Sequence, residues 1–501
     1  MNRRNLIRSL LVMLASGLIA LLMVRSGRGR MRTEPPPPWD GPRVERDLDQ
    51  VRHDTLRVLV LRDPLTWEQR PRAESGLEWE LLERFARTLG VPIAARPVDH
   101  PDSLWMALQE GRGDIIAAQL TPRRDHARWV RFSRAYRRVR PVVATVHREP
   151  VPRGKASVAP LTDTVLLALA SPFRKPDYTL SEALCPVVAD HGTGPFTGDE
   201  LLASLLLGRH QAVVVSDALA AYEAQRTPLV TFSAPVGPPL EHCFALRRNA
   251  PLLRQALDHQ LEEEERSGAL DLICDAYRAR RAKPAQRLRP KRSIPIEGDS
   301  VSPYDAIFRS FAGRITWDWH LLVAMAYQES RFDSTASSHK GATGIMQFMP
   351  RTAQGLGLDV AHGVDAHVAA AVRYVNKLDT LWRRAVPDRD QRLRFVLASY
   401  NAGPGHIIDA QRLAEQLGLD PRRWEGNVER TVLLLARPQW YMRPGMRNGH
   451  CNGAQVFHYV RDVLNMYAQL THALPDPVHA PSDADNGPVT AVESVPEGAL
   501  P

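Results

Sequence analysis

Three short stretches in the second half of the chain carry residue types suited to an acid-assisted reaction. From Trp319 to Phe332 the sequence reads WHLLVAMAYQESRF, and helical spacing sets Leu322, Met325, Ala326 and Glu329 on one face. A carboxylate closing an apolar stripe loses water, which favours its protonated form and raises its pKa toward that of a general acid at neutral pH. The same spacing suits a helix-end glutamate paired with Arg331 or Lys340 equally well, and this segment alone does not separate the two. In the second stretch, Ser338 to Pro350, Gly341 and Gly344 precede Met346 and Gln347, so the backbone can make a tight approach there. The third stretch is a stripe of Leu393, Val396, Leu397 and Tyr400, stopped by Asn401-Ala402-Gly403-Pro404-Gly405. Tyr400, like Glu329, is the last residue of its apolar face.

Taken in order, E-S-R-F, G-A-x-G-I-M-Q-F-M-P and S-Y-N-A-G resemble the catalytic domain of the soluble lytic transglycosylase family over residues 301–470. The resemblance implies a mainly α, lysozyme-like fold in which Glu329 is the single acid/base. Ser330 orients that acid, and Ser338, Met346, Gln347, Tyr400 and Asn401 line a glycan cleft. Glycosidases of the usual kinds need two carboxylates, whereas the motifs supply one, with Asp333 a poor second choice. In the family's reaction the acid protonates the oxygen between N-acetylmuramic acid and N-acetylglucosamine, and the N-acetyl oxygen meets the charge developing at C1. The C6 hydroxyl then closes on C1 as the carboxylate takes its proton, giving a 1,6-anhydro sugar without water. Tyr400 is expected to donate a hydrogen bond near the acid or the N-acetyl group, and neither a metal nor a cofactor is required.

One stretch departs from the pattern of the membrane-bound branch of these enzymes. Where Arg-Gly-x-Glu is usual before an aromatic-Val pair, the chain reads Asn452-Gly453-Ala454-Gln455 ahead of Tyr459-Val460, so both charges are gone. Residues 437–452 are also irregular for the family.

The first half must supply whatever localises or controls this chemistry. Leu56 to Leu61 reads as a strand, Glu78 to Leu89 as a helix with an apolar face, Val91 to Arg96 and Asp114 to Leu120 as further strands. Alternating strands and helices predict an α/β layer architecture. Gly76-Leu77-Glu78, Leu120-Thr121 and Phe132-Ser133 with Tyr136 resemble the family-3 periplasmic solute-binding domain over 54–278. That implies a bilobal, periplasmic-binding-protein-like fold whose second lobe spans about 145–235. It also implies a cleft for an amino acid or muropeptide, with Asp217 on its amino group, Arg124 on its carboxylate and Thr121 beside them. Solvated loop charges would leave the same pattern. Cys243 and Cys274 lie in the returning segment, and a bridge between them is an expectation of position only.

The chain has 501 residues, 65 Lys+Arg and 56 Asp+Glu, with 44% hydrophobic residues and 4 Cys. Ordinary globular composition excludes a disordered or collagen-like chain, and so few Cys exclude a disulfide scaffold or zinc ribbon. The basic excess lacks any nucleic-acid-binding motif to organise it, so an anionic partner such as a phospholipid surface or an acidic polymer fits better. Arg3, Arg4 and Arg8 ahead of the uncharged run Leu10–Val24 read as a signal or membrane anchor within 1–32, followed by a Pro-rich spacer over 33–53. A basic linker spans 279–300 and a Pro-rich tail 471–501. Export and the order of parts imply a membrane-associated protein of the periplasm, on the outer membrane by family resemblance, acting on peptidoglycan glycan strands. A hydrolytic muramidase using Glu329 and a water, and a catalytically weak cell-wall sensor, are the alternatives.

Overall fold

A computed structural model describes residues 41–474 apart from Arg72, Asp125, 147–164, 168–170, 172–186, 190–196, 280–299, His339 and 360–361. The anchor, the Pro-rich spacer up to residue 40, the basic linker and the tail from residue 475 onward lie outside the described residues.

The first lobe is a sheet of β1 (Leu56–Val60), β4 (Ile93–Pro97), β5 (Ile115–Leu120), β6 (Val130–Phe132) and β13 (Leu240–Arg247), in the order β4-β1-β5-β13-β6, with β7 (Arg137–Val139) also pairing β13. β1 lies parallel to both β4 and β5, while β13 returns antiparallel to β5. Its run Leu56-Arg57-Val58-Leu59-Val60 is nearly continuous apolar sequence, as expected of a strand covered on both faces. Helix α1 (Leu48–Arg52) precedes this sheet, and α2 (Leu77–Leu89) and α3 (Pro101–Gln109) pack on it. A short hairpin, β2 (Glu68–Arg70) with β3 (Ala73–Ser75), projects from the loop after β1.

The second lobe holds β8 (Pro141–Val146), β9 (Val165–Leu167), β10 (Val187–Ala189), β11 (Ala212–Ser216) and β12 (Val230–Phe232) in the order β10-β9-β11-β8-β12. Helices α4 (Gly198–Leu206) and α5 (Asp217–Glu223) pack against β11 and β8. The chain crosses between lobes at Arg140 and again between Phe232 and Leu240. The second lobe therefore starts at Pro141, a few residues before the expected 145, because β8 pairs with β11 from its first residue. Helices α6 (Pro251–Arg266) and α7 (Ala269–Ala279) close this half. Residues 41–53 are fastened to the first lobe. Asp47 accepts from the backbone of Leu252 and Leu253 at the start of α6, and Arg46 pairs with the buried Asp114 at 2.8 Å. Cys243 on β13 and Cys274 on α7 are buried and not bridged to each other, contrary to the positional expectation.

The remaining described residues are mainly helical: α8 (Asp305–Ser310), α9 (Trp319–Ser330), α10 (Pro350–Gly355), α11 (Val364–Arg383), α12 (Arg389–Ala402), α13 (Pro404–Gln416), α14 (Glu429–Leu434), α15 (Pro438–Tyr441) and α16 (Gly453–Ala473). Periodicity predicted a one-sided α9. Instead every residue from Trp319 to Ala326 is buried, because α8, α11 and α16 pack around it. A helix buried on all sides is a rigid support, each large apolar side chain contributing about 1.5–3 kcal/mol.

The two halves meet through a buried charge cluster. Arg437, between α14 and α15, donates to Asp199 at 2.8 Å and to Glu223 at 2.7 Å, and both carboxylates belong to the second lobe. Gln439 also donates to Asp199.

Candidate active site

Glu329 sits one residue before the end of α9, where the helix leaves the core and its last four residues are half-buried. The start of that helix is stapled: Asp318 caps it by accepting from the His320 backbone, and Tyr467 of α16 donates to the same carboxylate at 2.6 Å. Its end is a sharp reversal, with Arg331 and Phe332 both at positive φ (57° and 67°). Such backbone is costly for side chains with a Cβ, and the Phe332 ring holds it by packing on Tyr327 and Phe308.

Burial pushes the Glu329 carboxyl up to about 8, and the neighbouring Tyr459 hydroxyl pulls it part of the way back. Neither Arg331 nor Lys340 acts on it. Arg331 instead donates to the Tyr327 hydroxyl at 2.9 Å, so the paired-glutamate alternative is not what the fold builds. Asp333 is exposed, and Thr335 holds its carboxylate below the usual range through two hydrogen bonds. It is no partner for Glu329.

The glycine-containing loop is built as a rigid shelf beside α9. Thr343 and Phe348 exchange backbone hydrogen bonds, and the Gly344 amide donates to the Ala336 carbonyl at 2.9 Å. Gly344 is at φ +75°, and a Cβ there would lie 2.2 Å from the ring of buried His367, so both its conformation and its surroundings demand glycine. Gln347 is at φ 50°, its amide nitrogen bound to the carbonyls of Ala336 and Gly344. Ser338 accepts from the Ala342 backbone at 2.9 Å. Ser330 was expected to orient the acid. Its hydroxyl instead donates to the Ile345 carbonyl at 2.9 Å and to the Ala326 carbonyl at 3.2 Å, which ties the shelf to α9.

One further expectation is corrected. Met346 was expected to line the cleft, but its side chain has 0% exposure and belongs to the core. The Tyr400 hydroxyl donates to the Met346 carbonyl at 3.0 Å, bracing the shelf, and lies close enough to Glu329 to feel its charge. Asn401, on the last turn of α12, is half-buried. Tyr400 also belongs to an aromatic floor, with Phe348 at 5.7 Å, Tyr374 at 5.5 Å and Tyr459 at 6.5 Å between ring centroids.

Tyr459 is the site residue that sequence reasoning missed. Its hydroxyl is buried near Glu329 without a hydrogen-bond partner of normal geometry, and burial first, then the Glu329 charge, raises it well above a normal tyrosine. The available signal was its place in the aromatic-Val pair one helical turn beyond Gln455. Asn452 caps the helix that carries it, accepting from the Gln455 backbone at 3.4 Å and donating to the Gln455 side chain at 3.3 Å. The missing charges are thus replaced by a neutral cap. Gly453 lets that helix start against α14, where a Cβ would meet the Val432 carbonyl oxygen at 2.2 Å.

In the first half, Asp217 opens α5 and accepts from the Arg140 backbone at 3.1 Å, so one of its oxygens serves the crossing between lobes. Arg124 is exposed, and Thr121 is buried with no hydrogen-bond partner for its hydroxyl.

A bilobal α/β domain joined to a helical domain with a desolvated glutamate at the end of α9, a braced glycine shelf and an aromatic floor defines a two-domain protein of the lytic transglycosylase class. Residues 307–420 match the model of the transglycosylase SLT domain, and residues 56–279 that of bacterial extracellular solute-binding proteins, family 3. Membrane-bound lytic murein transglycosylase F of Ectopseudomonas mendocina (strain ymp) is 29% identical over 496 residues, covering 94% of each chain. The protein of that name from Yersinia pestis (strain Pestoides F) is 28% identical over 457 residues, covering 91% of this chain and 90% of its own. Among solved structures, a mutant of ArgBP from T. maritima aligns with 46% of this chain and 98% of its own at 22% identity and a TM-score of 0.38. Over nearly its whole length the chain is thus similar to proteins named membrane-bound lytic murein transglycosylase F, and these matches support that family for it.

Proposed function

We infer that the protein is a peptidoglycan lytic transglycosylase that cleaves the bond between N-acetylmuramic acid and N-acetylglucosamine to leave 1,6-anhydro ends. The observation that carries this reading is Glu329: a half-buried carboxyl on a rigid helix, its pKa raised to about 8 by desolvation, with no other carboxylate acting on it among the described residues. Protonated at neutral pH, it can give its proton to the glycosidic oxygen. Hydrolysis by the usual double-carboxylate routes lacks its second acid, which favours attack by the sugar's own C6 hydroxyl, with the Glu329 carboxylate as base. Tyr459 stabilises the carboxylate between the two proton transfers, and Ser338, Gln347 and Asn401 bind sugar hydroxyls and amides.

The N-terminal domain binds an amino acid or muropeptide and regulates or localises the enzyme. The run Leu10–Val24 associates the protein with a membrane on its periplasmic side. Among the described residues no helix is long and apolar enough to cross a membrane.

The test is digestion of purified sacculi by the protein and by Glu329→Gln, with fragments read by mass spectrometry. Anhydro muropeptides, one water lighter than hydrolytic products, should appear with the first and vanish with the second. Reducing-end products would replace this reading with a hydrolytic one.

A further inference from the structure

The N-terminal edge of the first-lobe sheet carries more arginine than its acids can pair. Register places it: β13 sets Cys243 against Leu120 at the carboxyl end of β5 and Leu246 against Ile115 at its start, and Arg247 then meets Val130 at the head of β6. The corner at Arg248 is therefore at the opposite edge of the sheet from Thr121 and from the crossings to the second lobe, which join β13 near Leu240. There the Arg248 guanidinium donates to the Arg128 carbonyl at 2.7 Å and that of Arg131 to the Ala127 carbonyl at 3.2 Å, so both heads crowd the 3-10 turn His126–Arg128. Each spends one of its three nitrogens on the backbone, which leaves the rest of the fork for a ligand. Arg128 and Arg131 are exposed and Arg248 half-buried, and none of the three makes an ion pair among the described residues.

The neighbouring acids are already shared out. Glu110 serves Arg43 and Arg112, Asp114 serves Arg46, Arg57 and Arg247, and Asp54 serves Arg46 and Arg57. Exposed Glu45 and Asp49 offset part of the excess, and the corner stays positive. Trp129, in the middle of it, is half-buried. A tryptophan partly out of the core beside cations suits the interface of a bilayer.

The chain enters the domain at this same corner. The Arg43 amide donates to the Gln109 carbonyl at 2.9 Å, and the Gln109 side chain donates to the Trp129 carbonyl at 3.0 Å. Asn249, next to Arg248, donates to the Val44 carbonyl at 2.9 Å. Between the apolar run that ends at Val24 and Gly41 lie 16 residues, among them Arg25, Arg28, Arg30 and Arg32, a reach of at most about 50 Å. A wall polymer could meet a basic patch on any side of the protein; a bilayer on so short a tether meets this one.

We propose that the corner is a docking surface for the anionic headgroups of the membrane that holds the anchor, with Arg128, Arg131 and Arg248 on lipid phosphates and Trp129 at headgroup level. This rests on reading Leu10–Val24 as that anchor. Docking so turns the other edge of the sheet, and the second lobe beyond it, away from the bilayer.

Hydrogen exchange read by mass spectrometry tests this on the full-length protein, reconstituted into vesicles of phosphatidylcholine or of an equal mixture with phosphatidylglycerol. Amides of 126–132 should exchange on the order of tenfold more slowly in the anionic vesicles. Raising salt from about 0.1 M to 1 M, which shrinks the Debye length from ~10 to ~3 Å, should remove the difference. Arg128→Gln, Arg131→Gln and Arg248→Gln together should lose it too, while sacculus digestion, which uses none of them, continues. If that variant does not fold, the lipid and salt dependence of the unaltered protein decides. Equal exchange in the two vesicles, or protection that survives salt or the triple substitution, overturns the proposal. Protection by sacculi in place of vesicles also overturns it and assigns the corner to the wall polymer. Flotation with the vesicles reads the anchor separately: protein that floats without protection leaves the anchor standing, and protein that does not float sinks both.

Discussion

The Tyr459 ring lies parallel to that of Tyr400, 6.5 Å between centroids and 6° between planes, while its hydroxyl faces Glu329. One side chain thus joins the aromatic floor to the acid. Tyr400 donates to the Met346 carbonyl of the glycine shelf, and both tyrosines feel the Glu329 charge.

Tyr459→Phe keeps the stacking and removes the hydroxyl that lowers the Glu329 pKa. The alkaline limb of the pH–rate profile should move upward, and the maximal rate should fall by about tenfold, the loss of one hydrogen bond to a carboxylate in the transition state. An unchanged limb would show that the hydroxyl does not touch the acid in the reacting complex.

For the unaltered protein, activity should fall as pH rises through about 8, where Glu329 loses its proton. Stability follows the same group. Its folded pKa is raised from 4.5 to about 8, so the folded chain holds a proton that the unfolded chain has lost in that window, and the stability this contributes below it declines as pH rises. Glu329→Gln has no proton to lose. Its melting temperature should drop less than that of the unaltered protein between pH 5 and pH 8, by roughly 2–6 °C, measured by scanning calorimetry.

Gly344→Ala places a methyl group against His367 at a positive φ. We expect destabilisation of about 2–4 kcal/mol and loss of anhydro product, because the shelf must move away from α9. Denaturant unfolding and the sacculus assay measure the two effects separately.

Arg437→Ala leaves Asp199 and Glu223 buried without their cation. A loss of about 3–5 kcal/mol is expected at the junction of the two halves, and Asp199→Asn with Glu223→Gln in the same chain should recover much of it. A single mutant that unfolds like the unaltered protein would show that the cluster is solvated in solution.

The acid, the shelf and the tyrosine of α12 were legible because each is a local pattern: a carboxylate at the end of an apolar run, paired glycines, a helix stop. The buried surroundings of α9 were not, since α16 approaches from more than a hundred residues away and periodicity reports only one helix at a time. Ser330 and Met346 show a related limit. The motif marks them as part of the site, but only the packed structure shows that one fastens the shelf and the other lies beneath it. Residues 437–452 looked irregular for the family, and Arg437 gives a reason for the start of that stretch: its sequence answers to the second lobe as well as to its own helices. The Asn452–Gln455 pair caps α16 without charge, and nothing in the structure explains why the charges were given up.

The Arg437–Asp199 pair joins positions 238 residues apart in the chain. Closing so long a loop is unfavourable until both ends are already ordered, so this contact should be among the last to form. During synthesis the first domain is complete well before Arg437 exists. For that interval Asp199 and Glu223 lack the guanidinium that Arg437 later brings to both of them. The junction is therefore a late assembly step between two prefolded bodies, and its charge complementarity selects the docking orientation before apolar contacts can settle it.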